Sequence, residues 1–174
     1  MGRVHPTSDG PVRPAPEAVA PSTAGVEVTS LVLVPHLASI GRGRRWVAAE
    51  AARHGIGATG LRVVQLLASE LIANAVLHGP PGGQVTVRTL HGADRLRVEV
   101  DDADSTTRPH LLHRRHADDG GHGLMLVDRF ADRWGYDLHD ADGKTVWFEF
   151  RLPGAGPRPA AVLRAARWER APEG

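Results

Sequence analysis

Between Thr59 and Gly79 the chain runs TGLRVVQLLASELIANAVLHG, and no other stretch restricts the fold as much. Leu67, Leu71, Ala75 and Val76 recur at helical spacing, which predicts a helix starting near Thr59 and ending at Gly79-Pro80-Pro81. Glu70, Asn74 and His78 recur every four residues and form a second, polar stripe beside the apolar one. The apolar stripe needs another layer to cover it. The polar stripe needs water to face, or a partner that uses a carboxylate and an amide.

The rest of the chain supplies that layer. VEVTSLVLVP (26–35) alternates and is β-branched, so it predicts a strand. Ser39 to His54 predicts a helix with Ile40, Trp46, Val47 and Ala51 as its apolar side, a first turn weakened by Gly41 and Gly43, and a stop at Gly55. GQVTVRTLHG and RLRVEVDD predict two strands joined through His91-Gly92-Ala93-Asp94. GLMLVDRFADRW predicts a helix opening on glycine, and GYDLHDADGKTVWFEFRLP two strands around an Asp142-Gly143 turn. The order β-α-α-β-β-loop-α-β-β makes neighbouring strands hairpins. The expected architecture is therefore α+β, a two-layer sandwich whose mainly antiparallel (mixed) sheet carries helices on one face. Residues 1–25, rich in Pro, Gly, Ala and Ser, read as a disordered leader, 26–152 as the domain, and 153–174 as a flexible basic tail.

Composition excludes several classes of function. The formal net charge of +1 gives no electrostatic reason to expect nucleic acid or an anionic membrane as partner. Arginine outnumbers lysine 20 to one, Lys144 being the exception, which reads as coding bias rather than a phosphate-binding patch. With no cysteine, disulfides, thiolate catalysis and Cys-ligated zinc are ruled out. No uninterrupted apolar run approaches the roughly 18 residues that span a bilayer, and the N-terminus lacks the apolar core of a secretory signal. A cytoplasmic protein is the expectation.

Three clusters carry chemistry: Glu70/Asn74/His78, Asp102 at the end of the strand VEVDD, and Gly120-Gly121-His122-Gly123-Leu124 at a helix start. Glycines there let backbone approach a ligand, and the helix start favours an anion such as phosphate. Asn74 is a neutral oxygen ligand for Mg²⁺, and Glu70, one turn away, is a proton acceptor for an attacking hydroxyl. Alone, an E-x-x-x-N pair is more often a solvated helix face and a glycine before a helix is ordinary capping; three clusters in order weigh the other way. His110, His113 and His116 lack a carboxylate partner and make a poor zinc site. Gly143-Lys144-Thr145 mimics the end of a phosphate loop, but Leu138 stands where that loop needs glycine and a strand follows. The four tryptophans read as packing residues.

ELIANAVLHG, VEVDDAD and GGHGLMLVDRFADRWGY resemble, in this order, the asparagine box and the two glycine boxes of the ATP-binding domain shared by gyrase, the heat-shock chaperone, histidine kinases and mismatch-repair ATPases. This is the GHKL superfamily, with its Bergerat fold, and the resemblance covers about residues 26–152. Within it the chain is most similar to bacterial anti-sigma-factor serine/threonine kinases of actinobacterial type. The resemblance implies ATP and Mg²⁺, with Glu70 as base, Asn74 as metal ligand and Asp102 bonded to the adenine amino group. It also implies Gly121, His122, Gly123 and Leu124 along the phosphates, Thr145 near the adenine, and a lid over residues 105–120. The implied partners are an anti-anti-sigma (antagonist) protein that is phosphorylated and a sigma factor that is sequestered; a homodimer is compatible with this. Ala103 and Ser105 stand where sensor kinases carry glycines, and no phosphoacceptor-histidine hairpin precedes the domain, which argues against a sensor. The alternative is a regulatory module that binds ATP and partner proteins without catalysis.

Overall fold

The computed structural model describes residues 13–14, 25–111, 123–139 and 143–152. Strand β1 (Glu27–Leu33) leads into helices α1 (Leu37–Arg53) and α2 (Ala58–His78), followed by β2 (Val85–His91), β3 (Arg95–Asp102), α3 (Gly123–Phe130), β4 (Arg133–His139) and β5 (Gly143–Arg151). The five strands form one sheet in the order β1-β2-β3-β5-β4, and every pairing is antiparallel. The expected two-layer α+β sandwich is thus present, with no parallel pair in this sheet. Apart from it, Arg13–Pro14 pairs with His110–Leu111.

Strand alternation sorts the side chains into two faces. Leu96, Val98 and Val100 of β3, with Val87, Val146 and Phe148 opposite them, join Val64, Leu67, Leu71 and Ile72 of α2 in the core. Each such side chain contributes about 1.5–3 kcal/mol on burial. By length and hydropathy α2 also meets the criterion for crossing a membrane, which the uninterrupted-run test passes over. Here it is the core helix, with Val64, Leu67, Ala68, Leu71, Ile72 and Ala75 buried. Gly43 explains how closely α1 lies on it: a Cβ there would come within 2.7 Å of Ile72 Cδ1 and 3.0 Å of Leu33 Cδ1. The glycine that weakens α1 locally is what lets α1 approach α2.

The other sheet face is charged. Arg88 donates to Glu99 and Asp101, at 3.0 Å each, and Arg97 donates to Glu99 Oε1 at 2.7 Å while its guanidinium lies 3.8 Å over the Trp147 ring. At the far end of the helical face, a polar ring ties α1 to β1 and β2. Thr29 donates to Glu50 (3.1 Å) and shares a hydrogen bond with Thr89 (2.8 Å), which bonds His91 Nε2 (3.2 Å). The His91 ring stacks on His54 with centroids 3.5 Å apart, and Arg53 closes the ring onto Glu50 and Glu27.

One boundary differs from expectation. The helix predicted to run through Trp134 stops at Phe130. Ala131 N–H still bonds Val127 O, but Asp132 N–H turns to Glu149 O of β5, so the chain has already joined the sheet. Trp134 lies in β4, its Nε1 donating to Asp128 at 2.8 Å. The apolar spacing continues past Phe130, but the hydrogen bonds offered by β5 override it.

Candidate functional site

Glu70 and Asn74 are half-buried on α2, flanked by the buried Leu71 and Ala75 that hold the helix to the sheet. The first residue of α3, Gly123, is buried directly against them. A Cβ on Gly123 would lie 2.7 Å from Glu70 Oε2, 3.3 Å from Glu70 Cβ and 3.6 Å from Asn74 Nδ2. A glycine here lets the opening turn of α3, with its unpaired N–H groups and positive dipole end, rest on a carboxylate and an amide. Leu124 packs on the core behind this turn. Gly121 and His122 lie outside the described residues, as does most of the expected lid. His78, in the last turn of α2, is exposed.

Asp102 sits about one turn further along, at the C-terminal end of the same helix. Two residues beyond Val100 on β3, it points to the helical face and is only 6 % exposed. Gly79, which caps α2, leaves room beside it: a Cβ there would stand 3.7 Å from Asp102 Cβ. Asp102 Oδ1 accepts from Asp104 N–H (2.9 Å) and from Lys144 Nζ (3.1 Å), whereas Oδ2 accepts from no described residue. Lys144 also donates to Asp104 Oδ2 (2.9 Å) and Asp104 O (3.4 Å). That ammonium, helped by Thr106, holds the Asp104 carboxyl well below the usual carboxylate range. Asp104 Oδ1 in turn accepts from Thr106 N and Oγ1 and from Thr107 N, forming a side-chain-closed turn at the head of the loop. Before Lys144, Gly143 has φ +110 and passes so close to β3 that a Cβ would fall 1.8 Å from Asp102 O.

Thr145 is not brought to this group. In the antiparallel register it pairs with Asp101, on the charged face, where its hydroxyl donates to Asp101 and bonds His139 Nε2 at 2.8 Å. Burial pushes the Asp101 carboxyl up, against the pull of Thr145 and Arg88. The residue paired with Asp102 is Lys144. Counted from Asp102, the glycine positions of the D-x-G-x-G box fall on Asp104 and Thr106, one residue beyond Ala103 and Ser105. Those positions carry the side chains that build the turn. Sequence reasoning passed over Lys144 and Asp104. The signal for Lys144 was its being the sole lysine among 21 basic residues.

A sequence model of the histidine kinase-like ATPase domain matches residues 33–150, from the end of β1 to the end of β5. The chain belongs to that family. The match spans Glu70, Asn74, Asp102 and Gly123, and the open five-stranded antiparallel sheet with its helices agrees with the GHKL fold. No curated protein matches the sequence at a significant level. A histidine kinase-like ATPase domain implies an ATP site, and the residues here suit one: a carboxylate oxygen without a donor at the C-terminal end of α2, and an oxygen-bearing amide and a glycine-opened helix about one turn before it. Among the described residues no three His, Asp or Glu side chains converge to hold a metal. Asn74 alone fits Mg²⁺, which keeps several waters and shares phosphate oxygens.

Proposed function

We propose that the protein binds ATP with Mg²⁺ along α2 and transfers the γ-phosphoryl group to a serine or threonine hydroxyl of a small antagonist protein, as an anti-sigma-type regulator in the cytoplasm. The observation that carries the nucleotide reading is the span of α2. Asn74 meets the start of α3 and Gly79 meets Asp102, and the step of five positions from one to the other covers about 7.5 Å of helix axis. One nucleotide laid along that helix puts its base amino group at Asp102 Oδ2 and its phosphates at the opening turn of α3. Asn74 holds the metal there, and the likeness of the glycine box assigns Gly121 and His122 to the phosphates as well. Magnesium, when bound, neutralises charge on the phosphate oxygens.

Glu70 stands beside that turn and takes the proton of the attacking hydroxyl as its oxygen bonds the γ-phosphorus and the bond to ADP breaks. The protein-kinase class, the antagonist and the sigma factor rest on the likeness of the boxes to anti-sigma kinases. Incubation with labelled ATP and a candidate antagonist tests the reading. Glu70→Gln is expected to lower transfer at least 100-fold while retaining ATP affinity in calorimetry, and undiminished transfer would remove Glu70 as base. Asn74→Ala is expected to lose the Mg²⁺-dependent part of the affinity, tenfold or more.

A second reading, a nucleotide-binding module without transfer, is favoured by one observation. Asp104 and Thr106 replace the loop glycines with a hydrogen-bonded turn, which stiffens the root of the lid. ATP binding without phosphate on any offered antagonist would select it.

A further inference from the structure

We infer that Lys144 determines base specificity in the proposed nucleotide site: by saturating one oxygen of Asp102 it turns the other into an acceptor that admits an amino-bearing purine and rejects an oxo-bearing one. The inference rests on the nucleotide reading and adds a residue to it. Lys144 lies opposite Asp102 across the β3–β5 pairing, 7 % exposed, with its ammonium between Asp102 Oδ1 and Asp104 Oδ2. An ammonium has three N–H donors, and the three acceptors in reach, Asp102 Oδ1, Asp104 Oδ2 and Asp104 O, occupy them. None is left to point at a ligand. Asp102 Oδ2 takes no hydrogen bond from the described residues and so faces the ligand as a pure acceptor.

An exocyclic amine satisfies that oxygen. A carbonyl oxygen in the same place would meet a carboxylate oxygen with no proton between them, an arrangement of high cost in a dry site. The choice of lysine fits the task. The chain uses arginine at 20 other positions, yet a planar five-donor fork in this slot would leave donors directed at the ligand. Through Asp104 the bonds of Lys144 also fasten the turn at Thr106 and Thr107, linking base recognition to the root of the loop.

Calorimetry of the full chain with ATP and with GTP tests this. Wild type is expected to prefer ATP by 100-fold or more. Lys144→Met is expected to lose tenfold in ATP affinity and to narrow the ATP/GTP ratio at least tenfold. Lys144→Arg should recover ATP affinity without recovering the full ratio. Lys144→Gln, neutral and able to bond both carboxylates, stands in if the methionine variant folds poorly, and a narrowed ratio is expected there too. An unchanged ATP/GTP ratio in the Met or Gln variant overturns the role of Lys144. Wild type that binds ATP and GTP equally overturns it as well, leaving the nucleotide site standing. Wild type that binds neither overturns the nucleotide reading itself.

Discussion

At Gly123 and Gly143 an added methyl group meets two different kinds of obstacle. On Gly123 it meets the free end of a carboxylate, Glu70 Oε2 at 2.7 Å, which can swing away. On Gly143 it meets backbone, Asp102 O at 1.8 Å, at a φ of +110 that L side chains avoid. Gly123→Ala is therefore expected to displace Glu70 and lower phosphoryl transfer at least tenfold with stability within about 1 kcal/mol of wild type. Gly143→Ala is expected to cost about 3 kcal/mol or more in denaturant unfolding. The placement of Glu70 and Asn74 on one helix face and of Asp102 at a strand end was legible in the chain, because helix period and strand end are local properties. Lys144 was not. Its bond to Asp102 spans 42 positions and depends on the β3–β5 register, and a slip of one residue exchanges it with Thr145 and moves the side chain to the other face.

The elements themselves were readable from their periods, but how they meet was not. Gly43 reads as a weak point of α1, since glycine costs a helix up to about 1 kcal/mol relative to alanine. Its packing on Ile72 and Leu33 reverses the expectation: Gly43→Ala should gain helix propensity yet lose about 1–3 kcal/mol overall by forcing α1 off α2. The ring at the end of α1 has a pH signature. Burial, with the nearby His54 adding to it, lowers the His91 pKa to about 4, against the pull of Glu50 and Glu27. The unfolded chain then binds a proton below about 6.5 that the folded chain refuses until about 4. Stability from this group is whole above pH 6.5 and declines toward pH 4, by roughly 2–3 kcal/mol in all. Equilibrium urea unfolding at pH 7 and pH 4.5 checks this, and His91→Gln should flatten the difference.

On the scale of the molecule, one helix serves both stability and the proposed chemistry, since α2 fills the core with one stripe and lines the site with the next. Ligand binding should then be visible as global stabilisation. ATP with Mg²⁺ at 100 times its dissociation constant is expected to add about 2.7 kcal/mol, several degrees in Tm. A scan in which ATP leaves Tm unmoved would count against the site. The charged face of the sheet acts on a larger scale still. Arg88, Arg97, Glu99, Asp101 and Glu149 are matched to one another across three strands. A second sheet laid on that face would meet the exposed Val28 and Val32 at the β1 edge, but over β2, β3 and β5 it would meet charges already paired and would have to bring its own counter-charges in the right places. A stray copy of the chain has no such pattern to offer by chance. The ion-pair lattice thus works as a colloidal safeguard, disfavouring the stacking of two copies through the sheet face opposite the described helices in a crowded solution.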